Sequence, residues 1–264
     1  LPAFGVPLEG LHTETGPGVL EAALAVSDAL TAADRGVLFK SAVKEIAHRF
    51  GILPTFMAKI SPSLPGCSGH IHHSLWRTDG SGNAFYNHES PDGFSDTFKH
   101  FIAGQLHCLP HILPLLAPTV NSYKRLVEGM WAPTRMTWSC DNRTSALRAI
   151  GGSPKSTRLE TRVSGADMNP YLALAGLLGA GLYGIKNKLT APDPVKGNAY
   201  EVKDVALLPR NLEEAAQIML KSEIAGALFG EAFVEHMAQS RIWEWRQFSE
   251  AVTNWELQRY FEII

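Results

Sequence analysis

The chain has 264 residues, and its 24 lysines and arginines against 26 aspartates and glutamates give a formal net charge of -2 at pH 7. This length allows a large hydrophobic core, and the balanced charge argues against a nucleic-acid or membrane-surface partner. The spacing of Cys67, Cys108 and Cys140 does not match a disulfide framework or a zinc knuckle, and the first residues do not match a secretory signal. A reducing, cytoplasmic location is therefore expected.

The first candidate site lies in a turn near the start of the chain. Glu14 and Glu21 flank Gly16, Pro17 and Gly18, a turn that can bring two carboxylates together from the end of one strand and the start of the next element. Paired carboxylates suit a hard divalent cation. Two solvated glutamates beside a turn are the alternative interpretation.

The remaining elements follow from hydrophobic spacing and turn residues. Apolar residues three and four apart predict a helix over 27–50, and β-forming residues predict short strands over 55–60 and 70–76. A second helix is predicted from 94 until Pro110. Further strands are predicted at 134–140 and 157–163, separated by a turn-rich arginine segment, and helices follow. This order predicts an α+β fold with a largely antiparallel sheet flanked by helices, in one domain over 1–264.

The stretch from Met168 to Ile185 contains no charged residue, which places it at the lower limit for a membrane span. Asn169 as N-cap, Pro170 at the first helical position, and Lys186 and Lys188 in the last turn predict instead a buried helix of a soluble protein. Charged residues make up 19% of the chain, below the ~25% of average soluble domains. Both observations indicate that partner subunits or missing chain cover part of the surface, and they predict a cyclic homo-oligomer for the full-length protein.

A histidine-rich strand forms the second candidate site. Alternation along a strand places His70, His72 and Ser74 on one face and His73 on the other. This face suits a metal-binding imidazole next to donors that contact phosphate. A solvated strand face is the alternative.

Basic residues are concentrated in one part of the chain. Eight of the 24 lie between positions 124 and 162, namely Lys124, Arg125, Arg135, Arg143, Arg148, Lys155, Arg158 and Arg162. Because arginine matches carboxylate and phosphate oxygens, this density favours an anion-binding site, although a basic surface patch has the same composition. Alternation places Glu160 between Arg158 and Arg162 on one strand face. That arrangement suits a metal that bridges an anionic nucleotide, or a ladder of ion pairs.

These segments together resemble the catalytic domain of the glutamine synthetase superfamily, ATP-dependent ligases that join glutamate to ammonia or an amine. The resemblance extends from residue 8 to the C-terminus, and its most specific blocks are residues 14–21, SGHIHHSLW, APTVNSYKRLVEG, DNRTSALR and RLETRVSGADMNPYLA. It implies Mg²⁺ or Mn²⁺ as cofactor, with ATP and glutamate as substrates. It also implies an N-terminal β-grasp domain, absent from this chain, which completes each active site from the neighbouring subunit of a ring.

The resemblance assigns a role to each candidate residue. Glu14 and Glu21 match the ligands of one divalent ion, and His70 and Glu160 match ligands of a second. Arg125 matches the arginine that binds the α-carboxylate of glutamate. The residues implied to contact the nucleotide phosphates are His72, Ser74, Arg143, Arg148, Lys155 and Arg158.

Three further residues concern the reacting groups. Arg162, together with Arg143, is the implied catalytic residue at the transferring γ-phosphoryl group and the γ-carboxylate of glutamate. Gly66 lies in the loop that lines the amino-acid pocket. However, this loop has Leu64, Pro65, Gly66 and Cys67 where ammonia-using members commonly have Asn-Gly.

A second departure concerns the amine. Ammonia-using members have a glutamate six residues after the carboxylate-binding arginine, and that position is Trp131 here. An indole is neither a base nor an anion, although its face attracts an organic cation. The sequence therefore favours a γ-glutamyl ligase for a polyamine or a small primary amine such as ethanolamine. A structural role for Trp131 in a flap loop, glutamine synthesis from ammonia, a silent lengsin-like ring protein and another phosphotransferase on this fold are the alternatives.

Overall fold

The computed structural model describes residues 1–263. The strands are β1 (Leu8–Thr13), β2 (Leu20–Leu24), β3 (Ile71–His73), β4 (Trp138–Cys140), β5 (Leu147–Ile150) and β6 (Arg158–Thr161). The helices are α1 (Ala29–Arg49), α2 (Asp96–Leu116), α3 (Val120–Arg125), α4 (Pro170–Lys186), α5 (Leu212–Leu220), α6 (Glu223–Phe229), α7 (Glu231–Glu250) and α8 (Asn254–Tyr260). Short 3-10 helices lie at Pro2–Phe4 and Ala199–Glu201.

The strands form two sheets. β1 and β2 make an antiparallel hairpin, and the second sheet has the order β3-β6-β5-β4. In this second sheet only the β4–β5 pair is parallel. The predicted α+β fold with a largely antiparallel sheet is therefore confirmed.

The core lies where α2 packs between the four-stranded sheet and α4. Gln105 of α2 is fully buried, donates to the Leu177 carbonyl of α4 at 3.1 Å and accepts from the Thr161 hydroxyl of β6 at 2.6 Å. The two helices approach closely at a pair of glycines, because a Cβ added at Gly104 would lie 2.6 Å from the Gly184 Cα. This packing fixes β6, and with it Glu160, relative to the helices.

Two helices match the predicted ones. α1 spans Ala29–Arg49 within the predicted 27–50, and Asp28 caps it by accepting from the Thr31 amide. α4 begins at Pro170 with Asn169 as its N-cap, as predicted, and it ends at Lys186, so Lys186 lies in the last turn but Lys188 does not. None of the helices within residues 1–263 combines the length and the hydropathy that crossing a bilayer requires.

The end predicted for the second helix is wrong. α2 continues through Pro110 and Pro114 to Leu116. An internal proline costs a helix about 3 kcal/mol, but burying one leucine or isoleucine side chain contributes about 1.5–3 kcal/mol. Leu109, Ile112 and Leu116 are fully buried, so their burial outweighs the local cost.

Two strand predictions are also corrected. Residues 55–60 are irregular, because the side chain of Asn121 rather than a strand satisfies this backbone: it accepts from the Lys59 amide at 2.9 Å and donates to the Lys59 carbonyl at 2.8 Å. The segment predicted as 70–76 forms a strand only over Ile71–His73. The arginine segment, in contrast, contains a strand that was not predicted, β5, in which Leu147 and Ala149 are buried.

Candidate active site

The β1–β2 hairpin brings Glu14 and Glu21 together. The register pairs His12 with Glu21, and the His12 Nε2 atom lies 3.4 Å from the Glu14 Oε1 atom and 3.2 Å from the Glu21 Oε2 atom. A hydrogen bond with Glu21 and another from the Thr15 amide lower the pKa of Glu14, whereas burial and the Glu14 carboxylate raise the pKa of Glu21. Glu14 therefore ionises before Glu21, and a bound cation would favour the ionised form of both carboxylates.

His12 is a member of this cluster that the sequence analysis did not assign. The ligand atoms of His12, Glu14 and Glu21 lie within 4.8 Å of one another, and all three residues are exposed. The detectable signal was the two-residue spacing of His12, in β1, and Glu14, just after β1, because residues two apart in extended chain point to the same side. The donor set of two carboxylates and one imidazole fits a divalent ion such as Mg²⁺ or Mn²⁺.

The second pair, His70 and Glu160, meets across the β3–β6 junction. Glu160 is 3% exposed, and its carboxylate contacts His70 Nδ1 at 3.1 Å, Arg148 Nη1 at 2.9 Å and Arg162 Nη1 at 2.5 Å. Burial opposes ionisation, but the His70 hydrogen bond and the Arg162 charge hold the pKa of Glu160 well below its usual range. The His70 Nε2 atom is buried without a hydrogen-bond partner among residues 1–263. This orphaned nitrogen and the anionic carboxylate fit a second divalent ion.

The two pairs belong to neighbouring parts of the fold. Within residues 1–263, the group of three side chains in the hairpin that could hold a metal does not include His70 or Glu160. The hairpin turn nevertheless approaches the loop that precedes β3, since a Cβ at Gly16 would lie 3.7 Å from the Pro65 side chain. Convergence of all four predicted ligands in one cleft stays a prediction.

Arg125 is fully buried at the end of α3. Its Nη1 atom donates to the Ser68 hydroxyl at 3.1 Å, its Nη2 atom donates to the Val163 carbonyl, and its Nε atom has no partner among residues 1–263. Burial lowers the pKa of Arg125 to about 10. The guanidinium charge of Arg125 therefore has only neutral hydrogen-bond acceptors as partners, which leaves it available to a substrate carboxylate.

Gly66 packs directly on Arg125. A Cβ at this position would lie 3.1 Å from the Arg125 Cβ and 2.6 Å from the Ala58 carbonyl oxygen. The Cys67 amide also donates to the Ala58 carbonyl, at 2.8 Å. The loop before β3 is thus seated against Arg125, and only glycine fits at the contact.

The other arginines line the same region of the sheet. Arg162 Nε donates to the Arg143 carbonyl at 3.0 Å, whereas the Arg143 side chain is exposed. Arg158 Nε donates to His72 Nδ1 at 3.1 Å, which brings two of the predicted phosphate contacts together. Lys155 is exposed in the turn before β6.

The histidine strand has the predicted alternation. Ile71 and His73 are buried and His72 is exposed. Burial lowers the pKa of His73 to about 3, so this ring is a neutral core residue that lies 5.9 Å from the Phe101 ring. Ser74 lies at the edge of the sheet, where its hydroxyl accepts from the Trp76 indole at 3.0 Å.

Trp131 lies in an irregular loop over residues 126–134. Its backbone φ is 57°, a value that non-glycine residues rarely adopt, and its side chain is 56% exposed. Arg135 anchors the loop by contacting Glu128 at 3.5 Å and donating to the Val205 carbonyl at 3.2 Å. The indole is therefore exposed to solvent and is not part of the hydrophobic core.

The chain is similar to known proteins of one family. The family model described as glutamine synthetase, catalytic domain, matches residues 1–260. Type-1 glutamine synthetase 2 of Dictyostelium discoideum is 53% identical and covers 100% of this chain and 51% of its own length. Glutamate–isopropylamine ligase of a Pseudomonas species is 44% identical and covers 98% of this chain and 57% of its own length.

A solved structure agrees with these sequence matches. The structure titled GmaS/ADP complex, conformation 1, aligns with a TM-score of 0.88 at 31% identity and covers 98% of this chain and 61% of its own. The chain spans about half the length of the curated relatives that it matches.

Proposed function

The chain belongs to the glutamine synthetase family through its catalytic domain, and from this premise we propose that the protein is an ATP-dependent ligase. It phosphorylates the γ-carboxylate of glutamate and transfers the γ-glutamyl group to a primary amine. The observation that supports this most directly is the Glu160 cluster with His70, Arg148 and Arg162, beside the buried Arg125. Closely spaced, fixed positive charges would reduce the repulsion between two anionic substrates, a carboxylate and a nucleotide, as they approach each other.

The proposed reaction has two steps. A γ-carboxylate oxygen attacks the γ-phosphorus of ATP, and the bond from this phosphorus to the β-phosphate oxygen breaks to release ADP. The amine nitrogen then attacks the acyl carbon of the acyl phosphate, phosphate leaves, and the nitrogen loses a proton. A divalent ion, when bound, neutralises phosphate charge.

The residues of this chain position and stabilise these groups. Arg125 holds the α-carboxylate of glutamate, with Gly66 forming the adjoining wall. Arg162 stabilises the charge that develops on the transferring phosphoryl group and on the acyl oxygen. Glu160 keeps Arg162 and Arg148 in place through its two oxygens, which receive one guanidinium each.

Trp131 supports an organic amine as the acceptor. An exposed indole in a strained loop offers its face to a cationic or alkyl amine, but it offers no carboxylate to ammonium. The relative named glutamate–isopropylamine ligase agrees with this assignment. Glutamine synthesis from ammonia is the second candidate, and the name of the Dictyostelium discoideum relative favours it.

Replacing Trp131 by glutamate is expected to shift the preference of the intact protein from amines toward ammonia. The carboxylate supplies an anion for ammonium, and loss of the aromatic face weakens a cationic amine by about 0.5–2 kcal/mol, or roughly 2- to 30-fold. The measurement is the ratio of the ligation rates with ammonia and with a panel of amines that includes isopropylamine, ethanolamine and a diamine. Phe50→Glu is the control, because this aromatic residue is 74% exposed at the C-terminal end of α1, away from the loop that holds Trp131.

An unchanged ratio in Trp131→Glu would refute the selectivity role. Equal losses with all acceptors would assign Trp131 a structural role in the loop. Wild-type turnover with ammonia alone would favour the second candidate function.

The intact protein is expected to sediment as a cyclic homo-oligomer. Large apolar side chains are exposed near the C-terminal end of the chain, including Trp243 at 60%, Trp255 at 62% and Phe261 at 79%. Such a patch on α7 and α8 suits a subunit contact. Analytical ultracentrifugation is the measurement, and a stable monomer at micromolar concentration would contradict the proposal.

A further inference from the structure

Tyr200 is a residue near the arginines that neither the motifs nor the proposed function has used. It lies in the 3-10 helix Ala199–Glu201, between α4 and α5. The Ala199 amide donates to the Thr144 hydroxyl at 2.9 Å, and the Asn142 side chain donates to the Gly197 carbonyl at 2.6 Å. The short helix is therefore fixed to the loop that precedes β5.

The same loop also holds Arg162. Its Nε atom donates to the Arg143 carbonyl at 3.0 Å, one residue before the threonine that anchors Ala199. Two neighbouring residues of this loop thus set the positions of Arg162 and of Tyr200. A rigid arrangement of this kind is what a binding site requires.

The Tyr200 hydroxyl is buried and has no hydrogen-bond partner among residues 1–263. Buried phenols in folded proteins are normally hydrogen-bonded, so an orphaned hydroxyl calls for an explanation. Arg125 Nε is a second buried polar atom without a partner in this part of the chain. Both atoms would be satisfied by a group that the protein itself does not provide.

The charges around the hydroxyl indicate which group this is. Burial raises the pKa of Tyr200, and Arg162 and Arg125 lie close enough to act against that rise. The phenol therefore remains protonated near neutral pH and available as a donor. Burial and the Arg162 charge both lower the pKa of Arg125. The two positive charges therefore disfavour each other, and a bound anion would relieve this.

We propose that Tyr200 is a further substrate-binding residue, whose hydroxyl donates a hydrogen bond to a carboxylate of the acid substrate held between Arg125 and Arg162. This assignment rests on the proposed function for the identity of the acid as glutamate. A carboxylate fits because its oxygens can accept hydrogen bonds from both the Tyr200 hydroxyl and the unpaired Arg125 Nε atom. Its negative charge also offsets the repulsion between the two guanidinium groups.

The test is Tyr200→Phe in the intact protein, with L-glutamate binding measured by calorimetry and without turnover. A hydrogen bond to a charged group contributes about 1.5–3 kcal/mol, so the Kd for glutamate is expected to rise roughly 10- to 150-fold. The affinity for ADP, measured in parallel, is expected to stay within about 2-fold, since the phenol contacts the acid and not the nucleotide.

Tyr123→Phe is the matched control. Tyr123 is also buried with a hydroxyl that lacks a partner in residues 1–263, but burial and the carboxylates of Asp167 and Glu214 raise its pKa. No anion is expected to bind there, so this variant should bind glutamate like the wild type. Thermal unfolding of both variants verifies that each is folded.

Three results would overturn the assignment: equal glutamate affinity in Tyr200→Phe and wild type, equal losses in the two tyrosine variants, or a loss confined to ADP. Failure of the proposed function gives a different pattern. If the wild type binds glutamate with the expected dependence on Tyr200 but ligates no amine, the ligase proposal fails and the role of Tyr200 stands. If the wild type does not bind glutamate, the role of Tyr200 fails as well.

Discussion

Glu160→Gln is expected to lower the free energy of unfolding by about 3–5 kcal/mol and to abolish ligation, because removing one partner of a buried ion pair leaves uncompensated charge. Glu160 is 3% exposed, and both of its oxygens accept from guanidinium groups. The side chains of Arg162 and Arg148 are only 6% and 18% exposed, so water cannot replace the lost carboxylate charge. A neutral amide also has one oxygen fewer to accept with.

Chemical denaturation of the intact protein measures the stability effect. Glu89→Gln is the control, since Glu89 is exposed in a surface loop and its loss should change stability by less than about 0.5 kcal/mol. Catalytic loss without loss of stability would mean that the arginines are stabilised by groups other than Glu160. Retained activity would remove Glu160 from the proposed site.

Arg125→Met is expected to separate catalysis from stability. The loss of a buried hydrogen-bonded charge that faces a substrate carboxylate costs about 2–5 kcal/mol of binding, or roughly 30- to 5,000-fold in kcat/KM for glutamate. Stability should change much less, because methionine fills a similar volume and removes a desolvated charge. Arg125 has only the Ser68 hydroxyl and the Val163 carbonyl as hydrogen-bond partners among residues 1–263.

Lys124→Met is the matched control at the neighbouring position. Lys124 is exposed with its ammonium 5.4 Å from the centre of the Phe248 ring, so the same loss of charge occurs away from the site. Steady-state kinetics with glutamate varied, together with unfolding curves, distinguishes the two variants. Equal kinetic losses in both variants would show that the net charge of the protein, and not the guanidinium group of Arg125, determines activity.

Several features were predictable because their signals are local. Asn169 and Pro170 predicted the start of α4 to the residue, since capping acts over about four positions. The turn between Glu14 and Glu21 was predictable for the same reason, because Gly16, Pro17 and Gly18 form a turn signal within the six residues, 14–19, that join the two strands. His12 had a local signal too, in its spacing from Glu14. That signal alone did not distinguish a metal ligand from an ordinary exposed histidine on a strand.

The features that were mispredicted depend on partners distant in the chain. The continuation of α2 past Pro110 depends on apolar burial against α4, and the irregular course of residues 55–60 depends on Asn121. In both cases the local preference was clear, and contacts with other elements outweighed it.

Local signals in the sequence were sufficient for the capped helices, the hairpin turn and the set of charged residues available for a site. Long-range packing brings particular members of that set together: Glu160 meets His70 between β6 and β3, and Tyr200 lies near arginines that precede it by 38 and 75 positions. The physical reason is that a buried charge or hydroxyl is stabilised by groups that packing brings to it. Packing is the sum of many weak contacts over the whole chain, and no short segment contains it.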